Sequence, residues 1–264
     1  MSAYLSERAV NWSTLKHLRR SPRHYLHALT SEREDTPRLA LGRAAHTATL
    51  EPHRWADEYA VYPGARRAGK EWDAFEASAG ERTILKATEA DQAQRIAQAV
   101  HAHPRAHALL TGGKAEHVIK WDESGIPCKA RLDYLGAAVV DLKTCGDASP
   151  REVGRTAASM GYHCQLAWYR RGVHAVTGQW LDAYIIAVEV APPHDVGVYR
   201  VGAEALALAN DIIDELLATL AECRTRETWP GAFPDESELV LPAWVYAAEY
   251  GDDEELTATE IEGD

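Results

Sequence analysis

"RLDYLGAAVVDLKT", residues 131–144, sets Asp133, Asp141 and Lys143 into a run of Leu, Ala and Val that otherwise reads as sheet interior. Charged side chains are almost never fully buried unless they pair or coordinate something. The stretch therefore holds either a salt bridge from Lys143 to Asp141 or Asp133, or a metal site. Asp141 and Lys143 are two apart, so a strand presents both on one face. Asp133 lies on the preceding strand, and register decides whether it joins them. Opposed residues of an antiparallel pair share a face, and a slip of one residue separates them. A two-residue turn at Gly136-Ala137 would set Leu132 opposite Asp141. A metal site requires Asp133 there, hence an odd connection such as Gly136-Ala137-Ala138, or a bulge. A three-residue hairpin usually needs one left-handed residue, and Gly136 is the glycine on offer.

Periodicity assigns the elements outward from this hairpin. "KAEHVIKWD", from Lys114, alternates as a strand, "ESGIP" turns, and "CKARLDYL" and "AVVDLKT" follow as two more strands. Beyond them the pattern predicts helices over about 149–159 and 161–176, strands over about 180–190 and 195–201, and a long helix from Ala203 to about Arg224. Upstream of Gly112-Gly113 the chain reads as helical. A helix pair spans 6–30, with Asn11 or Ser13 capping the first helix and Ser21-Pro22 opening the second. A third helix covers about 37–50. Residues 53–86 hold a short helix, a strand at Tyr59–Tyr62 and a polar loop, "PGARRAGKEWD". Thr88-Glu-Ala-Asp91 starts a further helix that ends near His101–Pro104. The expected fold class is α/β (α+β). A helical part over about 1–111 leads into a β-β-β-α-α-β-β-α core over about 112–225, within one domain spanning 1–248.

The 264 residues, 46% of them hydrophobic, are enough to bury a full core. No apolar run approaches the roughly 18 residues of a membrane helix, and the first twenty residues lack the apolar centre of a signal peptide. Cys128, Cys145, Cys164 and Cys223 are widely spaced, which favours reduced thiols and a cytoplasmic location with no membrane partner. The net charge of −12 argues against nucleic acid until its distribution is considered. Eight acids and no base lie in the tail 249–264, which is expected to be disordered, leaving −4 for residues 1–248. The first seventy residues are locally basic, with Lys16, Arg19, Arg20, Arg23, Arg66, Arg67 and Lys70.

Two carboxylates with a main-chain carbonyl, that of Leu142, make a hard-oxygen site suited to Mg²⁺. A lysine beside them serves metal-assisted phosphodiester hydrolysis. D-x-K by itself is a weak signal. The downstream helix adds Gln165 and Tyr169 on one face at i, i+4, and the upstream helix "LALGRAAHTATL" adds His46. R-x-D, D-x-K-T and Q-x-x-x-Y, with G-R-x-x-H upstream, together resemble the PD-(D/E)xK nuclease superfamily. Within it the sequence is most similar to the RecB-like branch and the nuclease domain of exonuclease VIII (RecE), over about Ser6 to Val201.

That resemblance implies a restriction-endonuclease-like mixed sheet flanked by helices. It makes Asp133 and Asp141 metal ligands, Lys143 the catalytic lysine and His46 a metal-proximal histidine. Gln165 and Tyr169 position the active site, and Glu116 is an outer acidic ligand. Lys16, Arg19, Arg20, Arg43, Arg66 and Arg67 are the expected DNA contacts. The implied activity is 5′→3′ resection of linear duplex ends with Mg²⁺, for which Mn²⁺ substitutes. The product would be single strand for an annealing protein of phage-type recombination, and the implied assembly is a homo-oligomeric ring. The cysteine pattern of relatives with iron–sulfur clusters is missing, so no cluster is expected.

Blander readings stand beside these. Taken singly, His46 would be a hydrogen-bonded helix histidine, Gln165 and Tyr169 ordinary helix residues, and Glu116 a surface-strand acid. His101, His103 and His107 read as a solvated helix end, and Trp12, Trp55 and Trp72 as core rather than base-stacking residues. The competing functions are a non-catalytic DNA-binding protein that kept the fold, and an endonuclease or flap-type nuclease.

Overall fold

A computed structural model describes residues 9–31, 36–233 and 235–245. The start of the expected helix pair (6–8) and the acidic tail lie outside the described residues. Asn11 and Ser21 cap short helices α1 (Trp12–Leu15) and α2 (Pro22–Thr30), joined by a 3₁₀ turn at Lys16–Arg19. Each side chain accepts a hydrogen bond from a first-turn amide, Thr14 and His24 respectively, as capping predicts. Next come α3 (Pro37–Leu50), α4 (Trp55–Glu58), β1 (Tyr59–Tyr62), α5 (Lys70–Ala79), β2 (Thr83–Lys86), α6 (Ala87–Ala102) and α7 (Pro104–Leu109). The core follows as β3 (Lys114–Glu123), β4 (Ile126–Leu135), β5 (Val139–Cys145), α8 (Pro150–Met160), α9 (Tyr162–Thr177), β6 (Ala183–Glu189), β7 (Val196–Arg200) and α10 (Ala203–Arg226).

The expected β-β-β-α-α-β-β-α order is the observed one. One correction falls in 63–73, where the expected loop is helical from Lys70 onward. A second strand, β2, pairs parallel to β1 and was not anticipated.

The main sheet runs β3-β4-β5-β6-β7, antiparallel except for the parallel pair β5–β6. A parallel pair needs a crossover, and α8 and α9 supply it. The central strands are apolar on both sides, because helices cover both faces. On one face Leu132, Val139, Ile185 and Ala187 pack with Leu166, Trp168 and Val173 of α9 and with Ile213 and Leu220 of α10. On the other, Val140, Leu142, Ile186 and Val188 pack with Ala45 of α3 and with Ile96 and Val100 of α6. The buried Trp168 indole N–H donates to the Lys129 carbonyl, so its polar edge is satisfied. Arg171 on α9 holds β3 and α10 together through Glu123 and Asp214, each at 2.6 Å. Among the described residues no helix is long and apolar enough to cross a membrane.

Candidate active site

Register builds the site. β4 and β5 pair through Tyr134↔Val140 and Leu135↔Val139, which leaves Gly136–Ala138 as a three-residue connection. Continuing that register sets Asp133 opposite Asp141. The Gly136 amide donates to the Ala138 carbonyl at 3.0 Å. No residue of this connection has a positive φ, so glycine is not needed there for a left-handed turn. Space is tight there instead, since a Cβ at Gly136 would lie 3.1 Å from the Tyr134 ring, which would have to shift by a few tenths of an ångström.

On its other side, β4 pairs with β3 through Ala115↔Tyr134 and His117↔Leu132, which sets Glu116 opposite Asp133. Glu116, Asp133 and Asp141 thus form one row across three adjacent strands. At this row β3 and β4 change face together, while β5 keeps its alternation, with Val140 and Leu142 both on the α3 side. Leu132 and Ile119 belong to the α9-side core, whereas Tyr134 and Ala115 pack into the α3-side core. Strict alternation would keep Leu132 with Tyr134. Glu116 accommodates the change with φ +47°, a left-handed conformation costly for any residue with a Cβ.

Beyond the row β4 and β5 no longer pair, and Asp133 fills the gap. Its Oδ2 accepts the Leu142 backbone N–H at 2.8 Å. From α3, His46 Nδ1 comes within 3.7 Å of the same oxygen. His46, Glu116 and Asp133 place one ligand atom each within 4.8 Å of one another. Arg131 Nε stands 2.9 Å from Glu116 Oε2. Burial and the neighbouring Asp133 nevertheless hold the Glu116 carboxyl above the usual carboxylate range.

Asp141 does not belong to that cluster of three. It is fully buried, with Lys143 Nζ 2.6 Å from Oδ2. Oδ2 is thereby paired with the ammonium, whereas Oδ1 has no hydrogen-bond partner among the described residues. Burial pushes its carboxyl up to about 6, against the pull of Lys143 and with the push of Asp133. Burial works against the Lys143 ammonium too, but Asp141 and Asp133 outweigh it and raise the Lys143 pKa. Lys143 also donates to Gln165 Oε1 at 3.3 Å, and Gln165 Nε2 donates to the Tyr169 hydroxyl at 2.7 Å. The Tyr162 ring lies 4.7 Å from Nζ. Gly161, at φ +71°, ends α8 in a left-handed cap and starts α9 at the angle that aims Gln165 at Lys143.

A buried carboxylate with one unpartnered oxygen, beside a His/Glu/Asp cluster, suits a divalent cation held by oxygen and imidazole. Asp133, Asp141, Glu116 and His46 are the residues that would hold it. Leu142 supplies its amide to Asp133, and its side chain is fully buried in the α3-side core. Two partners escaped the sequence reading. Arg131 stands in the R-x-D signal without a role, and nothing in the sequence marks Tyr162.

The basic residues fall in different places. Lys16, Arg19 and Arg20 line a cleft of about 490 Å³ between the 3₁₀ turn and the end of α8, with Trp12 and Met160 among its walls. Arg43 is exposed on α3, one turn before His46. Arg66 is exposed between β1 and α5, whereas Arg67 donates to the Ile84 carbonyl and lies over the Trp72 ring. Trp12 is core, and Trp55 and Trp72 pack on Tyr59 and Tyr62. His101 and His107 are exposed, and His103 caps α7.

Residues 11–238 match the family described as "PDDEXK-like domain of unknown function (DUF3799)". The chain belongs to this PDDEXK-like family. The same fold is seen in a crystal structure from Eubacterium rectale named "Putative exonuclease". The two share 16% identity over 95% of each chain, with a TM-score of 0.64. No curated protein matches the sequence.

Proposed function

We propose that this PDDEXK-like chain is a Mg²⁺-dependent deoxyribonuclease that resects the ends of linear duplex DNA, 5′→3′. The observation that carries this reading is the row Glu116–Asp133–Asp141 with Lys143 beside it. Asp133 and the Asp141-x-Lys143 pair fit the carboxylate and lysine positions from which the family takes its letters. When bound there, a divalent cation supplies charge stabilisation at the scissile phosphate. Lys143 stays charged, so it serves as a donor that orients the attacking water or a phosphate oxygen. Gln165 holds Nζ from one side and Asp141 from the other, with Tyr169 fixing the Gln165 amide. Mn²⁺ is expected to substitute for Mg²⁺.

Through the resemblance, the reading extends to a single-strand annealing recombination protein as partner and to a homo-oligomeric ring. Lys16, Arg19, Arg20, Arg43 and Arg66 are the cations proposed to meet phosphates. The test is digestion of end-labelled linear duplex against closed-circular DNA of the same sequence, with Mg²⁺ and with EDTA. Release of nucleotides from linear duplex in Mg²⁺ alone is expected. Equal cleavage of the closed circle would make the chain an endonuclease. Binding of both forms with cleavage of neither would make it a non-catalytic DNA-binding protein.

A further inference from the structure

Arg131 is a cation in direct contact with a candidate metal ligand, and nothing in the proposed chemistry uses it. Its Nε stands 2.9 Å from Glu116 Oε2, and its side chain is 36% exposed against 20% for Glu116. A guanidinium carries five N–H donors in a fixed fork, and one carboxylate satisfies two of them. Among the described residues Arg131 has no second hydrogen-bond or ion-pair partner. Its remaining donors therefore face solvent, beside the cluster of His46, Glu116 and Asp133.

The row of three acids thus has a cation at each end. At the β5 end Lys143 is held from several sides, by Asp141, by Gln165 and by the Tyr162 ring. At the β3 end Arg131 is held by Glu116 alone. The ammonium is fixed, and the guanidinium is free to swing.

We propose that Arg131 is a phosphate-binding residue of this site that changes partner. It pairs with Glu116 while the carboxylates hold no divalent cation. It gives its fork to a non-bridging oxygen of the bound phosphodiester when they hold one. The proposal rests on the nuclease reading for the identity of that anion.

Electrostatics favours such an exchange. A divalent cation at Glu116 and Asp133 takes up the negative charge that holds Arg131, and it repels the guanidinium. A lysine would relieve that repulsion by losing its proton, but a guanidinium cannot be deprotonated in a protein. It needs another anion, and the substrate brings one in its phosphate. The planar fork matches two phosphate oxygens at once, which a point charge does not. The distance is short as well. Neighbouring strands lie about 4.8 Å apart, so a swing of that size carries the guanidinium from Glu116 to a phosphate over Asp133.

The competing role for Arg131 is to steady Glu116, whose φ of +47° is costly. The two roles predict opposite signs for metal binding. The test compares the full chain with Arg131→Gln, which keeps a polar side chain at this half-exposed position and removes the charge. Calorimetric titration with Mn²⁺, without DNA, should show divalent affinity retained or raised by up to about 5-fold, because the competing cation is gone. A labelled blunt duplex in EDTA should bind both proteins equally, since Glu116 holds Arg131 there. In Mg²⁺ the variant should bind the duplex about 10-fold or more weakly. That affinity is read from half-saturation of single-turnover cleavage, or by direct titration if the duplex stays intact. Arg131→Lys, with the charge but not the fork, should fall between the two.

A lower Mn²⁺ affinity in Arg131→Gln would make Arg131 a support for Glu116 and overturn the proposal. A duplex defect of the same size in EDTA would make it an ordinary DNA contact and overturn the exchange, as would equal duplex affinities in Mg²⁺. A duplex left intact by the wild-type protein in Mg²⁺ would sink the nuclease reading alone, because the titration still reads Arg131.

Discussion

The Asp133 carboxylate accepts the backbone N–H of Leu142 at 2.8 Å, across the gap where β4 and β5 stop pairing. A side chain here takes the place of a ladder hydrogen bond. The carboxylate is thereby fixed in the sheet while the strands part around it.

Substitutions at Asp133 should therefore separate stability from chemistry. Asp133→Asn keeps an oxygen acceptor for the Leu142 amide, whereas Asp133→Ala leaves that amide unpaired at a cost of about 1–3 kcal/mol. Hydrolysis of linear duplex should fall by roughly a hundredfold or more in both. Urea unfolding should show Asn within about 1 kcal/mol of wild type and Ala clearly below it. If Asp133→Asn cleaves at the wild-type rate, the carboxylate is not part of the site.

Glu116 pays for its position with a left-handed backbone and with repulsion from Asp133. Glu116→Gly removes both penalties and should raise stability by about 0.5–1 kcal/mol, despite losing the Arg131 partner. Divalent affinity, read by calorimetry, should drop about 10- to 100-fold. A destabilised glycine variant would mean that the Arg131 pair outweighs the strain.

Asp141 makes metal-free stability depend on pH. Its carboxyl is raised from 3.8 to about 6, so the folded state binds a proton more tightly than the unfolded chain does. That contribution is fully present below about pH 3.8 and is lost as pH rises through about 6, by roughly 3 kcal/mol as an upper bound. In EDTA, the wild-type unfolding midpoint measured from pH 4 to 7.5 should decline relative to that of Asp141→Asn. Parallel curves for the two proteins would refute the assignment.

The Gln165–Tyr169 pair acts through Lys143. Gln165→Ala frees Nζ and should lower kcat about 10-fold with KM little changed, because the lost contact serves the transition state. Tyr169→Phe keeps the packing but drops the hydroxyl that anchors the Gln165 amide, and should give a smaller loss of the same kind. A pure KM effect in single-turnover kinetics would place Gln165 in substrate binding instead.

The sequence was legible where one period ran long enough. β3 and β4 alternate over ten residues each, β5 is an apolar run of seven broken by its charges, and α10 repeats its apolar stripe across twenty-four. β2 has four residues, "TILK", too few to show a period. α5 follows "PGARRAG", whose glycines and arginines read as loop. Parity alone settled which register a shared site needs. The reversal of face at Glu116 was not legible, because a left-handed glutamate leaves no compositional mark. His46 is a similar case: an alanine-rich helix with one histidine says nothing of the strand it will meet, and only the resemblance pointed there.

The site draws on α3, β3, β4, β5 and α9, from His46 to Tyr169. No local segment contains it, and the contacts that complete it, His46 with Asp133 and Lys143 with Gln165, close long loops, which are slow to form. During synthesis, β4 and β5 leave the ribosome before Gln165 and Tyr169 do, so the nascent chain carries its acidic row with Lys143 not yet held by α9. On the proposed nuclease reading, competence for cleavage would arrive only after the crossover helices have docked, and the order of translation itself would keep an unfinished enzyme silent.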